Sequence, residues 1–170
     1  RHDIDIRWSA FPLHPETPEE GLALEDLFAG RGVTVGEVMG RLKRAAAEAG
    51  LPLGDRTRTY NSRLAQELGK WAEAKGRGEE FHSAVFRAYF VEGVNIAKDP
   101  ELTALAASVG LPPEEARSVL DSRTFREAVD RDWLRARELG LVAVPTFLFN
   151  GRTLVGAQPY EVLEQFVLDG

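Results

Sequence analysis

Val142-Ala143-Val144-Pro145-Thr146-Phe147-Leu148-Phe149-Asn150-Gly151-Arg152-Thr153-Leu154-Val155-Gly156-Ala157-Gln158-Pro159-Tyr160-Glu161 is the stretch that decides the fold. Residues 146–149 form a short apolar strand with Pro145 at its mouth, where a residue lacking an N–H can start a strand but not continue one. Asn150-Gly151 is the strongest two-residue hairpin signal, because both residue types tolerate the positive φ of a type I′ turn. Residues 153–155 supply the returning strand. Gln158-Pro159-Tyr160-Glu161 opens a closing helix, with Val162, Leu163, Phe166 and Val167 on its inner face.

At the other end of the chain, Ile4, Ile6 and Trp8 alternate with Asp5 and Arg7, the period of a strand with one buried face. Pro12 and Pro15 end that pattern and make residues 11–15 an ordered extended loop. From Leu22 to Gly140 almost everything reads helical. A short helix carries Leu22, Leu24, Leu27 and Phe28. Thr34 with Glu37 is a capping box for a helix carrying Val38, Leu42, Ala45 and Ala46. Residues 51–60 read as a loop. Leu64, Leu68, Trp71 and Ala72 line the next helix, and Phe81, Val85, Phe86, Tyr89 and Phe90 make an apolar stripe after it. Asp99-Pro100, as cap and first helical residue, opens another helix, and Pro112-Pro113 opens the next. A last long helix runs from Ser122 to Gly140, with a solvated charged face over residues 130–137.

The composition bounds the chemistry. A net charge of −6 with basic residues scattered along helices argues against nucleic acid. No apolar run approaches the ~18–20 residues that span a bilayer. There is no cysteine, which excludes a disulfide framework and any cysteine-based metal site in this chain. His2, His14 and His82 have no metal-ligand spacing; His2-Asp3 reads as terminal and exposed, and His82 as a surface or boundary residue. Glu79-Glu80 and Glu114-Glu115 suit the first turns of helices.

Strand, helical block, then Val-Pro-Thr, strand, Asn-Gly, strand and helix: this order resembles the DsbA-like thioredoxin-fold family over essentially the whole chain. The branch it is most similar to holds the FrnE-type oxidoreductases, the 2-hydroxychromene-2-carboxylate isomerases and the kappa-class glutathione transferases. The motifs are Ile6-Arg7-Trp8 with the proline loop after it, Tyr60-Asn61-Ser62-Arg63, Phe86-Arg87-Ala88-Tyr89-Phe90, Val144-Pro145-Thr146 and Gly156-Ala157-Gln158-Pro159. Gln66 departs from the family, which often carries histidine there. The resemblance implies an α/β class: a thioredoxin fold with a large all-helical insertion between sheet strands. Residues 1–18 and 141–170 would form the thioredoxin-like domain, and residues 19–140 the insertion.

The family begins with a strand ending in Cys-x-x-Cys, or in serine in the isomerase and transferase branch. That segment would lie upstream of Asp3, and in the family it supplies the central strand, so the resemblance implies a functional protein longer than this chain. The implied activity is thiol–disulfide oxidoreduction, with the thiol in that upstream segment and no catalytic residue in this chain. The alternatives are a glutathione-dependent isomerase or transferase and a non-catalytic thioredoxin-like binding module.

The resemblance makes Pro145 the family's cis-proline and makes Val144, Pro145 and Thr146 the substrate-docking turn. Phe11, Pro12, His14 and Ser9 would flank the same edge, although a purely structural proline loop is equally open. Asn61 and Ser62 are open between substrate contact and plain helix capping. No metal and no bound cofactor is expected, glutathione being the alternative. The implied partner is a protein or small-molecule thiol or disulfide, with no nucleic acid and no membrane. A homodimer is open, and the implied location is the cytoplasm.

Overall fold

The helices end where particular residues stop them, and two compact units result. A computed structural model of the chain describes residues 3–170; His2 lies outside them. One unit is His14–Val129, and the other joins the residues up to Leu13 with Asp130–Gly170.

In the first unit the core is made by four helices: α3 (Arg63–Ala74), α4 (Gly78–Phe90), α5 (Asp99–Ser108) and α6 (Pro113–Ser122). Here helices are numbered in chain order, with α1 at Leu24–Phe28 and α2 at Val35–Glu48. Ala65, Leu68 and Ala72 lie three and four residues apart on α3, so one stripe of that helix meets Phe81, Leu102, Ala106 and Leu120. Phe81, Leu68 and Leu102 are fully buried. The stripe expected on α4 is narrower than its apolar sequence: Phe86 is 50% exposed and Phe90 36%, and they pack on each other with ring centroids 6.1 Å apart. Val85 to Phe90 wraps too far round the helix for one buried face to take all of it.

Leu22 is in β1 (Leu22–Ala23), a two-residue ladder with β2 (Arg58–Thr59), and the helix begins only at Leu24. In α5 the cap is Lys98, with Asp99 and Pro100 in the first turn, so the helix begins one residue earlier than the sequence suggested. The capping box on α2 is complete: the Glu37 N–H donates to Thr34 Oγ1 at 3.2 Å, and the Thr34 N–H donates to Glu37 Oε2 at 2.8 Å. Those bonds from Thr34, backbone first, hold the Glu37 carboxyl below its ordinary range.

The segment before β2 is docked on the end of α4. The Gly54 N–H donates to the Phe90 carbonyl at 2.9 Å, and the Arg56 guanidinium lies 4.5 Å from the Tyr89 ring centroid and 4.9 Å from that of Phe90. Arg56 Nε and Nη1 are buried without hydrogen-bond acceptors, so the ring faces take the place of an anion for this cation. A Cβ on Gly54 would stand 2.0 Å from the Val91 carbonyl oxygen. Gly54→Ala is therefore expected to force this segment off α4 and to cost about 1–3 kcal/mol by overpacking, read as a lower thermal midpoint.

In the second unit, β3 (Thr146–Phe149) and β4 (Arg152–Val155) form a two-stranded antiparallel hairpin, followed by α8 (Tyr160–Leu168). Asn150 and Gly151 both have positive φ, at 47° and 79°, as a type I′ turn requires. Phe166 seats the closing helix on the hairpin, its ring centroid 6.4 Å from that of Phe149. Val162, placed on the inner face by its spacing, is 40% exposed. The last long helix, α7, starts at Arg126 and ends at Glu138. Its charged face is not wholly solvated, because Asp132 Oδ2 accepts the Ala10 N–H at 2.9 Å.

The strand expected over residues 4–8 is not formed. Ile4, Ile6 and Trp8 are 42%, 76% and 48% exposed, and the segment joins no sheet among the described residues. Alternation gives a segment a buried face, but a strand also needs a neighbour for its N–H and C=O groups. Among the described residues β3 is paired on one side only, by β4. Among the described residues no helix is long and apolar enough to cross a membrane.

Candidate functional site

The unpaired edge of β3 is a consequence of hairpin register. Thr146 faces Val155, Phe147 faces Leu154, Leu148 faces Thr153 and Phe149 faces Arg152. A two-residue loop closes on a hydrogen-bonded pair, Phe149 with Arg152, and bonded and non-bonded pairs then alternate. Odd-numbered residues of β3 therefore bond toward β4. The Gly156 N–H, which donates to the Pro145 carbonyl at 2.8 Å, continues the same parity. The N–H and C=O groups of Thr146 and Leu148 point the other way, to the open edge.

Val144 stands just before this edge. It is 48% exposed, and its N–H and C=O have no hydrogen-bond partner among the described residues. The Val144–Pro145 peptide is cis. Thr146 Oγ1 donates to the Ala143 carbonyl at 2.7 Å, which ties the turn to the start of the strand. Phe147 and Leu148 are 36% and 38% exposed. The turn thus offers an extended chain outward-facing backbone groups together with an apolar surface, the combination by which a peptide is added to a sheet edge.

The other residues singled out in the sequence divide between the two units. Phe11 and Pro12 are half-buried and lie in the unit that holds β3; the Leu13 N–H donates to the Phe11 carbonyl at 3.1 Å in a tight turn. Ser9 is exposed in the same segment. His14, Asn61 and Ser62 lie in the helical unit. There Asn61 Nδ2 donates to the Pro15 carbonyl at 3.1 Å and to that of Thr17 at 2.8 Å, while its Oδ1 accepts the Arg63 N–H at 2.9 Å. The Thr17 N–H donates back to the His14 carbonyl at 3.2 Å. Asn61 thereby joins the proline loop to the start of α3 with both polar atoms of its side chain engaged. Ser62 occupies the N-cap position of α3 without a capping bond, and its Oγ accepts from Gln66 Nε2 at 3.1 Å.

Leu148 is the site residue that the sequence reading omitted. Its outward parity was available in Asn150-Gly151, because a two-residue turn fixes which strand residues face β4. His82 is partly buried on α4; burial holds its imidazole below 6.5, against the carboxylate of Glu73 3.6 Å from Nε2. Among the described residues, no three His, Cys, Asp or Glu side chains gather as a metal site.

Comparison with known proteins places this geometry. Residues 1–167 match the family described as the DSBA-like thioredoxin domain. The uncharacterized protein YwbO of Bacillus subtilis (strain 168) is 28% identical over 169 residues, 98% of this chain and 82% of the relative. The probable DsbA oxidoreductase SCO1869 from Streptomyces coelicolor is similar with a TM-score of 0.83 at 28% identity, over 92% of this chain and 71% of that one. The cytosolic disulfide reductase DsbM from Pseudomonas aeruginosa has a TM-score of 0.58 at 26% identity, over 79% and 77% of the two chains. A 2-hydroxychromene-2-carboxylate isomerase has a TM-score of 0.69 at 21% identity, over 86% and 75%, which is a likeness of fold alone. The fold is thus α/β, of thioredoxin type with a helical insertion, and the chain belongs to the DSBA-like thioredoxin domain family.

Proposed function

We propose that the protein is a thiol–disulfide oxidoreductase of the DsbA/FrnE kind, with its reactive thiol in a segment upstream of this chain. The observation that carries this reading is the open edge of β3, where Val144, Thr146 and Leu148 offer unpaired backbone to an extended substrate in a family of thiol–disulfide enzymes. This chain has no cysteine of its own to form a mixed disulfide. A cysteine at a helix N-terminus would carry a lowered pKa, and its thiolate would exchange through a mixed disulfide while β3 holds the substrate backbone. In this reading residues 1–18 and 141–170 form the redox domain, residues 19–140 the insertion, and Phe11 and Pro12 flank the docking edge. The protein needs no metal and works in the cytoplasm, in keeping with the cytosolic disulfide reductase it resembles.

A second reading has glutathione as the thiol, either as co-substrate or in an isomerase or transferase reaction. It is supported by the solved structure of the Pseudomonas aeruginosa reductase with GSH. The test is to read and express the codons upstream of Arg1 and to assay insulin reduction and glutathione binding. Cys-x-x-Cys upstream with insulin reduction, absent from the 170-residue chain, is the expected result. A serine in that place, with glutathione binding and no reductase activity, selects the second reading. Neither motif and neither activity leaves a binding module and overturns both.

A further inference from the structure

Helix α2 contains no fully buried residue, although it carries a continuous apolar stripe: Val35, Val38, Met39 and Ala46 are half-buried, while Leu42 is 44% exposed and Ala45 and Ala49 are exposed. Val35, Val38, Met39, Leu42, Ala45, Ala46 and Ala49 recur at helical spacing on one side, while Glu37, Arg41, Arg44 and Glu48 occupy the other. The stripe is palindromic about Leu42. If a second α2 runs antiparallel across it, Val35 meets Ala49, Val38 meets Ala46, Met39 meets Ala45, and Leu42 meets its own copy. Val35, Val38 and Met39 each fall opposite an alanine, so a two-fold axis at Leu42 matches bulk to gap on either side of the central leucine pair.

The ends of the helix extend the match. Beyond α2 the Leu51 N–H donates to the Ala46 carbonyl at 2.8 Å, and the Gly50 N–H donates to that of Ala47 at 3.1 Å, a Schellman closure. Leu51 is left 64% exposed. Before α2 an open cleft of about 490 Å³ is lined by Phe28, Val33 and Val35. Under the same two-fold axis, Leu51 of one copy arrives opposite Val33 of the other and has that cleft to fill. Two helix faces about 21 Å long, with a leucine in a cleft at each end, would bury roughly 1,000 Å² in total, the threshold of a specific though weak interface.

We infer that α2 is a homodimerisation helix, pairing antiparallel with a second copy of this chain about Leu42; this is independent of the redox reading. Sedimentation across a concentration series is expected to show a reversible dimer with a micromolar Kd, and Leu42→Asp, at an exposed position, is expected to weaken it at least tenfold with circular dichroism unchanged. A second measurement uses the absence of cysteine: Leu42→Cys is expected to cross-link to a disulfide dimer under mild oxidation at least tenfold faster than Glu37→Cys on the opposite face. A chain that stays monomeric into the millimolar range, or equal cross-linking by the two cysteine variants, overturns the inference.

Discussion

Glu67→Ala is expected to lower the unfolding free energy by about 3 kcal/mol, measured by urea titration. Glu67 is 1% exposed on α3. Its Oε1 accepts from Arg63 Nε at 2.5 Å and from Arg123 Nη2 at 2.7 Å, and its Oε2 accepts from Arg123 Nε at 2.7 Å. Removing the carboxylate takes away the acceptor that Arg123 and Arg63 share, although Arg63 Nη2 keeps its bond to the Arg126 carbonyl at 2.9 Å, and breaking a buried pair from one side typically costs ~3–5 kcal/mol. Arg123 is 40% exposed, so water screens part of that loss and the lower end applies.

Burial pushes the Glu67 carboxyl up, but the hydrogen bonds from Arg123 and Arg63 outweigh it and hold the group below 4.5. A depressed folded-state pKa contributes stability that is present above the unfolded value and lost as pH falls through the folded one. The wild-type protein should therefore lose stability more steeply than Glu67→Gln as pH drops below about 4. Parallel pH profiles for the two proteins would refute the ion-pair account.

Phe81→Ala is expected to cost about 3–5 kcal/mol, the range for emptying a fully buried aromatic site. Phe81 is 0% exposed among α3 and α5 side chains. Phe86→Ala, five residues along the same helix at 50% exposure, should change stability by less than about 0.5 kcal/mol. Paired thermal or denaturant melts check both, and comparable losses from the two variants would show that the α4 stripe is buried more widely than the fold implies.

Much of the helical unit and the hairpin of the other unit were legible in the sequence because their determinants are local. Thr34 with Glu37, the alanine–leucine spacing of α3, Pro113 at the start of α6 and Asn150-Gly151 each act through neighbours within about one turn of backbone. The hairpin register, and with it the outward parity of Thr146 and Leu148, also followed from a two-residue turn. The buried carboxylate was not legible. Glu67 reads as a solvent-facing helix residue until Arg123, 56 positions along the chain, is brought to it at the end of α6. Arg123 itself holds the left-handed backbone at φ 53° that glycine or asparagine normally takes, and its two bonds to Glu67 offset that strain.

By itself, then, the sequence determined the succession of the long helices, the capping box on α2, the hairpin and the family, all of which depend on short-range chemistry and pattern. Tertiary structure alone decided which apolar faces are covered. Residues 4–8 have strand alternation and no partner strand among the described residues, α2 has a stripe that is at most half-buried, and Gly54 is needed because the Val91 carbonyl comes within 2.0 Å of where its side chain would be. Periodicity specifies which face of an element seeks burial; whether anything lies against that face depends on long-range packing, which no local pattern encodes.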